Sequence, residues 1–186
     1  MKAQFARWVA AVVLGLGALG LATAGTGAKD PDGWFHRLSE AHWIQQGHGK
    51  RLMYIFIDPN CPYCHRLYSE LQPRIGPDDL TVRWIVVGIL TTTSAGKAAA
   101  ILSAKDPGAA LERSERGFSG QGGGGIEETL PDDKTKAALE ANQKLLSATG
   151  ATGVPTIVFR NGQGRATKAV GGPSPGQLQR FLSHVH

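Results

Sequence analysis

The sequence contains few cysteines, only two in 186 residues. They are Cys61 and Cys64, and a disulfide between residues three positions apart closes a very small loop that cannot join distant parts of a fold. With 41% hydrophobic residues, the chain can bury the core of one ordinary domain without such a cross-link. The two cysteines are therefore expected to serve chemistry.

Long runs of basic residues are also missing. The formal net charge is +5, but Lys and Arg do not cluster beyond isolated pairs such as Lys50-Arg51. A solvated basic surface accounts for this charge, so a nucleic acid or anionic membrane partner has no support. The stretch 117–125 holds six glycines, but no strand precedes it, which favours a flexible surface loop over a phosphate cradle.

The first 24 residues have the pattern of a secretory signal peptide. Lys2 and Arg7 precede an apolar stretch from Trp8 to Leu21, and Ala22-Thr23-Ala24 supplies small residues for cleavage after Ala24. The stretch is short for a membrane span, although a retained anchor remains the alternative. The pattern predicts export into an oxidising compartment, where a chain with structural disulfides would be expected to have more cysteines.

The cysteines lie between a predicted strand and a predicted helix. Leu52 to Ile57 is an apolar run of strand length, ended by the turn formers Asp58-Pro59-Asn60. The segment after Cys64 places Leu67, Tyr68 and Leu71 on one helical face. The pair therefore opens a helix.

The remaining pattern predicts a sheet layered by helices. A leading helix is predicted at Trp34 to Gln46, with its stripe of Trp34, Phe35, Leu38 and Ala41 packed against the core. The later predicted elements are a strand at Leu80 to Leu90, helices at Ser94 to Ala104, Pro107 to Arg116 and Asp132 to Ala148, strands at Pro155 to Arg160 and Arg165 to Val170 around Asn161-Gly162, and a helix at Ser174 to Val185. In the helix at Asp132 to Ala148, the apolar positions include Ala137, Leu139, Leu145 and Leu146. This order is typical of an α/β or α+β sandwich of thioredoxin type with a helical insertion at about 94–150.

The position of the cysteines predicts thiol chemistry. A cysteine at a helix N-terminus faces unsatisfied N–H groups and the positive end of the helix dipole, which favour the thiolate, so Cys61 is the predicted nucleophile. Cys64, one turn later and buried, is predicted to resolve a mixed disulfide. Pro62 fits the first helical turn, and Tyr63 is partly exposed where substrate would approach. His65 is predicted either to add positive charge near sulfur or to lie on a solvated helix face, as is Arg66.

The segment Phe56-Ile57-Asp58-Pro59-Asn60-Cys61-Pro62-Tyr63-Cys64-His65 closely resembles the active-site segment of the disulfide isomerases DsbC and DsbG. The resemblance extends from about Trp43 to Phe181. Three later stretches carry it: Ala98 to Leu102 with Lys105-Asp106-Pro107, Asn142 to Leu145, and Gly153-Val154-Pro155-Thr156.

The resemblance implies a thioredoxin fold and a periplasmic protein that exchanges disulfides with exported proteins containing cysteines. It implies a redox-active Cys61–Cys64 disulfide, a cis Val154–Pro155 bond beside Cys61, and substrate binding at Val154 and Pro155. It also implies reduction by a DsbD-like membrane protein. No cofactor and no metal are expected.

Two departures from the family pattern leave the direction of electron flow open. Only 36 residues separate Ala24 from Cys61. We therefore expect a segment at 25–50 and a catalytic domain at 51–186, without the family's N-terminal dimerisation domain, and a monomer is favoured. Val154 replaces the threonine usual before the cis-proline in these isomerases and is more similar to the oxidase DsbA, so a monomeric dithiol oxidase is the alternative.

Other chemistries fit less of the sequence. Cys61-Pro62-Tyr63-Cys64-His65 matches the attachment pattern for c-type haem, but Met53 is the only methionine after the signal segment, and the Val-Pro-Thr stretch would have no role. Zinc would need two further ligands, and the available histidines are better explained as surface residues: His36, His42, His48, His184 and His186. A non-enzymatic alternative is a redox-responsive chaperone or assembly factor for a secretion or conjugation apparatus.

Overall fold

The computed structural model describes residues 33–186, so the predicted signal peptide at 1–24 lies outside the described residues. Five strands form one mixed sheet: β1 (Trp43–Gln46), β2 (Arg51–Ile57), β3 (Leu80–Val86), β4 (Thr156–Arg160) and β5 (Ala166–Val170). Their order is β1-β3-β2-β4-β5, with β2 and β3 parallel and the other pairs antiparallel. Central β2 is apolar on both faces because helices cover both sides of the sheet. The predicted α/β sandwich of thioredoxin type is confirmed.

Helices pack against both faces of the sheet. They are α1 (Gly33–Arg37), α2 (Pro62–Leu71), α3 (Ser94–Leu102), α4 (Pro107–Arg116), α5 (Asp133–Ala148) and α6 (Pro175–His184). One face of the sheet, with Met53, Ile55 and Ile57 of β2, packs on side chains from α2, α3, α4 and α6. The opposite face, with Tyr54 and Phe56, packs on α5 and on the segment before β1. The two cores follow from the alternation of side chains along β2.

The predicted leading helix at Trp34 to Gln46 is wrong in its second half. After α1, a short 3₁₀ helix covers Leu38–Glu40, and Ala41 then takes an extended conformation. Residues Trp43–Gln46 form β1, which pairs with β3. The helical stripe ends at Ala41, and hydrogen bonds to β3 are available only to an extended chain there. Packing of Trp34, Phe35, Leu38 and Ala41 against the core is confirmed.

Smaller differences concern the ends and faces of elements. Strand β3 ends at Val86 rather than Leu90, because the Asp58 carboxylate accepts hydrogen bonds from the backbone N–H groups of Ile89 and Leu90 and bends the chain. In α5, Ala137 is exposed and its neighbour Ala138 is buried instead, whereas Leu145 and Leu146 are buried and Leu139 packs against the core, as predicted. The β4–β5 hairpin is confirmed.

No helix within residues 33–186 has both the length and the apolar character needed to cross a membrane.

Candidate active site

The site begins where central strand β2 leaves the sheet. Asp58, fully buried, follows the strand and accepts hydrogen bonds from Asn60 N at 2.9 Å and from Ser94 Oγ at 2.7 Å, besides those from Ile89 and Leu90. Its backbone carbonyl accepts from Cys61 N at 3.0 Å. The sequence predicted a turn here. It did not identify Asp58 as the residue whose hydrogen bonds join this turn to the chain after β3 and to the start of α3.

Cys61 caps the N-terminus of α2. Its Sγ accepts a hydrogen bond from Cys64 N at 3.1 Å, and Pro62 occupies the first helical turn, as predicted. Cys61 and Cys64 form a disulfide, with their Cα atoms 5.1 Å apart. Cys61 is 3% exposed and Cys64 is fully buried, whereas Tyr63 is 57% exposed. Cys61 is thus the sulfur nearer the surface, set against the positive end of the helix dipole.

The Val154–Pro155 segment faces this sulfur, although it lies 93 residues away along the chain. The Val154–Pro155 peptide bond is cis, as predicted from the resemblance. The Val154 carbonyl oxygen is 3.7 Å from Cys61 Sγ. Thr156 Oγ1 donates to Gly153 O at 2.6 Å and fixes the turn that leads into β4. The structure therefore brings Cys61, Cys64, Val154 and Pro155 together.

Arg66 lies beside the Tyr63 ring. Its Nη2 is 3.2 Å from Gly172 O and 3.3 Å from Pro173 O, and its guanidinium lies 5.4 Å from the centre of the Tyr63 ring. Arg66 therefore joins α2 to the loop before α6 and supports Tyr63, a role that neither of its sequence-based interpretations included.

His65 faces the helical insertion. Its Nδ1 is 3.1 Å from Glu115 Oε2, and its ring stacks on Phe118 with centroids 4.5 Å apart and planes 6° from parallel. These two residues cover part of His65, whose side chain is 34% exposed, so the predicted solvated helix face describes it only in part. Glu115 was missed by the sequence analysis, although Leu111, Ser114 and Glu115 share the buried face of α4 at helical spacing.

Burial raises the pKa of Glu115 from 4.5 to about 8. Its carboxyl side chain is only 3% exposed, and a carboxylate loses hydration there. The pKa of Glu115 is higher in the folded state than in the unfolded state. Its contribution to the free energy of unfolding is therefore fully present below pH 4.5 and is lost as the pH rises to about 8.

Glu115→Gln is expected to make the protein less sensitive to alkaline pH. The amide keeps the shape of the carboxyl but cannot ionise, so the variant avoids the loss of stability that ionisation of Glu115 causes in the wild type. The free energy of unfolding of Glu115→Gln minus that of the wild type should therefore increase by about 4 kcal/mol from about pH 5 to about pH 9. Urea denaturation at several pH values measures it. Glu112→Gln, one turn earlier on α4 and more exposed, is the control, and a pH-independent difference for Glu115→Gln would contradict the assignment.

The glycine-rich stretch packs beneath the active-site turn. Gly123 and Gly124 are buried, and Gly124 N donates to Pro59 O at 2.8 Å. Lys97 Nζ donates to Gly124 O at 2.7 Å and also to Gly122 O. The prediction of a surface loop is therefore wrong for Gly123 and Gly124. A close approach of backbone to Asn60, beside Cys61, explains the glycines here.

Gly123→Ala is expected to lower the free energy of unfolding by about 2–4 kcal/mol. Gly123 has φ +67°, and a Cβ there would meet Asn60 Oδ1 and lie 2.9 Å from Asn60 Cα. Gly120→Ala is a matched control because a Cβ at Gly120 meets nothing within 4 Å. Urea denaturation of both variants measures the difference, and equal stabilities would contradict the packing described.

Three of the histidines considered for zinc contact other residues. His36 contacts Arg160, the backbone of His42 hydrogen-bonds Asn142, and His184 contacts the Arg180 carbonyl. Across the described residues 33–186, no three His, Cys, Asp or Glu side chains form a group that could hold a metal ion. Met53, the methionine considered with haem, is fully buried in β2.

A strand that ends at a helix capped by a Cys-x-x-Cys pair, opposite a cis-proline, defines a thioredoxin-type thiol site. Residues 38–186 match the thioredoxin-like domain family, and the chain belongs to that family.

The most informative relatives are thiol:disulfide interchange proteins. The chain is 34% identical to DsbG of Pseudomonas aeruginosa over 80% of its length and 28% identical to DsbG of Escherichia coli over 81%. It spans only 58% and 60% of those two proteins. A solved disulfide interchange protein from Neisseria gonorrhoeae superposes with a TM-score of 0.57 and 25% identity, covering 76% of this chain and 94% of that one. The predicted resemblance to the DsbC and DsbG group is confirmed.

Proposed function

We propose that the protein is an exported thiol:disulfide oxidoreductase that exchanges disulfides with exported proteins through Cys61 and Cys64. The observation that carries this proposal is the placement of Cys61. It caps α2, lies at the surface side of the Cys61–Cys64 disulfide, and faces the Val154 carbonyl at 3.7 Å. A disulfide that served only to hold the fold would not need a cysteine that caps a helix opposite a cis-proline.

The exchange follows from the two different environments of the sulfurs. In the reduced protein, the Cys61 thiolate attacks one sulfur of a substrate disulfide. A bond forms between Cys61 and that sulfur, and the other substrate sulfur leaves as a thiolate. Cys64 then loses its proton and attacks Cys61 Sγ, which restores the Cys61–Cys64 disulfide and releases the substrate as a dithiol. The reverse sequence oxidises a substrate dithiol.

Substrate binding is assigned to the backbone beside Cys61. Val154 and Pro155 precede β4, so an extended substrate segment can lie beside them as a strand, and strand-like pairing accepts many sequences. Tyr63, exposed next to the sulfur, offers an aromatic contact. This arrangement supports binding of many different unfolded or oxidised proteins as substrates. Tuning of the thiolate is assigned to Pro62, Tyr63 and His65. We also assign residues 51–186 to one catalytic domain, which includes the helical insertion at about 94–150.

The cellular assignment is part of the same proposal. The signal pattern at 1–24 supports export, and similarity to DsbG supports a periplasmic protein. Reduction of its thiols is assigned to a DsbD-like membrane protein, as the family resemblance implies. Disulfide isomerase or reductase is the favoured activity. Val154, which resembles the residue of an oxidase, favours dithiol oxidase as the second candidate.

The redox form of Cys61–Cys64 in cells tests the direction. Cells are quenched in acid, free thiols are alkylated with a mass tag, and the two forms are separated on a gel. A mostly reduced pair supports isomerase or reductase, whereas a mostly oxidised pair contradicts it and supports the oxidase. Cys61→Ser/Cys64→Ser, which cannot form the pair, marks the position of the untagged form.

A further inference from the structure

Glu115 is a buried acid that the disulfide exchange does not use. It belongs to α4 of the insertion, and its carboxyl contacts His65 of the active-site helix at 3.1 Å. Phe118 stacks on the same imidazole. The insertion therefore supplies both the acid that binds His65 and the ring that fixes its orientation.

We propose, building on the function proposed above, that Glu115 is a positioning residue acting through His65. The two side chains hold one proton between them, and loss of that proton at alkaline pH lowers the reduction potential of Cys61–Cys64.

The helix geometry places this pair where it affects Cys61. His65 N donates to Cys61 O at 3.0 Å, the first hydrogen bond of α2. His65 belongs to the first turn of this helix, which directly follows the capping Cys61. A change of charge at His65 and Glu115 therefore acts on the Cys61 thiolate at short range, partly shielded from water by Phe118.

Other charged or titratable groups around Glu115 are already paired. Glu112 and Arg116, on its own helix, form an ion pair at 2.6 Å. From α2, the Tyr68 hydroxyl accepts from Gln46 at 3.0 Å, and burial raises its pKa, so it stays neutral. Lys97 of α3 is bound to the glycine-rich stretch, and Arg66 contacts Glu70 and the loop before α6.

The proton count gives the direction of the effect. With one shared proton, the pair carries no net charge. Burial raises the pKa of Glu115 to about 8, so the proton leaves above that pH and the pair becomes negative. A negative charge disfavours the Cys61 thiolate, which destabilises the reduced form and lowers the potential.

The test measures the equilibrium of Cys61–Cys64 with glutathione for the wild type and Glu115→Gln at about pH 7 and about pH 9. The amide keeps a hydrogen bond to His65 but cannot become negative. Relative to the wild type, the variant should favour the dithiol about threefold more at the higher pH than at the lower, or ~14 mV. Because the wild type and the variant are compared at the same pH, the effect of glutathione ionisation on the equilibrium is the same for both and cancels.

Two further variants separate positioning from general effects. Glu112→Gln removes a neighbouring carboxylate from the same helix and should follow the wild type at both pH values. In a His65→Gln background, the pH-dependent effect of Glu115→Gln should become smaller, because the imidazole that links Glu115 to the first turn of α2 is absent. Parallel curves for the wild type and Glu115→Gln, or an undiminished effect without His65, would overturn the inference.

A titration of the wild-type protein alone avoids any effect that a substitution has on folding. In protein labelled with ¹³C at glutamate side chains, the Glu115 carboxyl should titrate near pH 8 when Cys61–Cys64 is oxidised and at higher pH when it is reduced. Equal midpoints would overturn the inference. Failure of the wild type to exchange with glutathione at all would instead overturn the proposed function, and the inference with it.

Discussion

Cys61→Ser is expected to abolish disulfide exchange, with a loss of at least about 10³-fold in rate. A serine hydroxyl does not ionise near neutral pH and cannot accept a sulfur to form a disulfide. Serine is also a favourable N-cap residue, so α2 should keep its start and the fold should persist. The measurement is the rate at which the protein catalyses reduction of a disulfide-bonded protein by glutathione.

Two comparisons make the result specific. Ser69→Ala changes an exposed residue of the same helix and should keep the wild-type rate. Unfolding of Cys61→Ser is compared with that of the reduced wild type, because both lack the disulfide. Retention of full biological activity by Cys61→Ser would favour the chaperone or assembly factor over the oxidoreductase.

Cys64→Ser is expected to trap substrate proteins on Cys61. Cys61 still forms the mixed disulfide, but the buried position 64 no longer supplies the thiolate that releases it. Release must then wait for an external thiol, so covalent adducts should rise from trace amounts to about tenfold or more over the wild type. Non-reducing gels of acid-quenched cells, followed by mass spectrometry of the adducts, measure this accumulation.

The adducts must depend on both thiol chemistry and Cys61. They should disappear on treatment with dithiothreitol and should be absent from Cys61→Ser/Cys64→Ser. If the double variant formed them equally, or if Cys64→Ser formed none, the roles assigned to the two sulfurs would be wrong.

The centre of the fold was predictable because its signals are local. The apolar run of β2, the turn at Asp58-Pro59-Asn60 and the helical face of Leu67, Tyr68 and Leu71 fix the strand, turn and helix around Cys61. The cis Val154–Pro155 bond was different, since few X-Pro bonds are cis and the prediction rested on resemblance.

The residues that sequence analysis missed depend on contacts between distant segments. Strand β1 forms because β3 offers it a hydrogen-bonding edge, which the helical stripe that precedes β1 and ends at Ala41 does not reveal. Glu115 lies 50 residues after His65, and its charged side chain is ordinarily expected on a surface. Gly123 and Gly124 are buried because Pro59 and Asn60 pack on them, a contact that composition alone does not specify.

The reduction potential of Cys61–Cys64 tests the central claim most directly. The purified protein is equilibrated in glutathione and dithiothreitol buffers of graded potential, and alkylated dithiol is separated from disulfide by mass spectrometry. An exchange-active pair should titrate reversibly between about −120 and −270 mV. A pair that stays oxidised below about −300 mV would be a structural disulfide and would contradict the account.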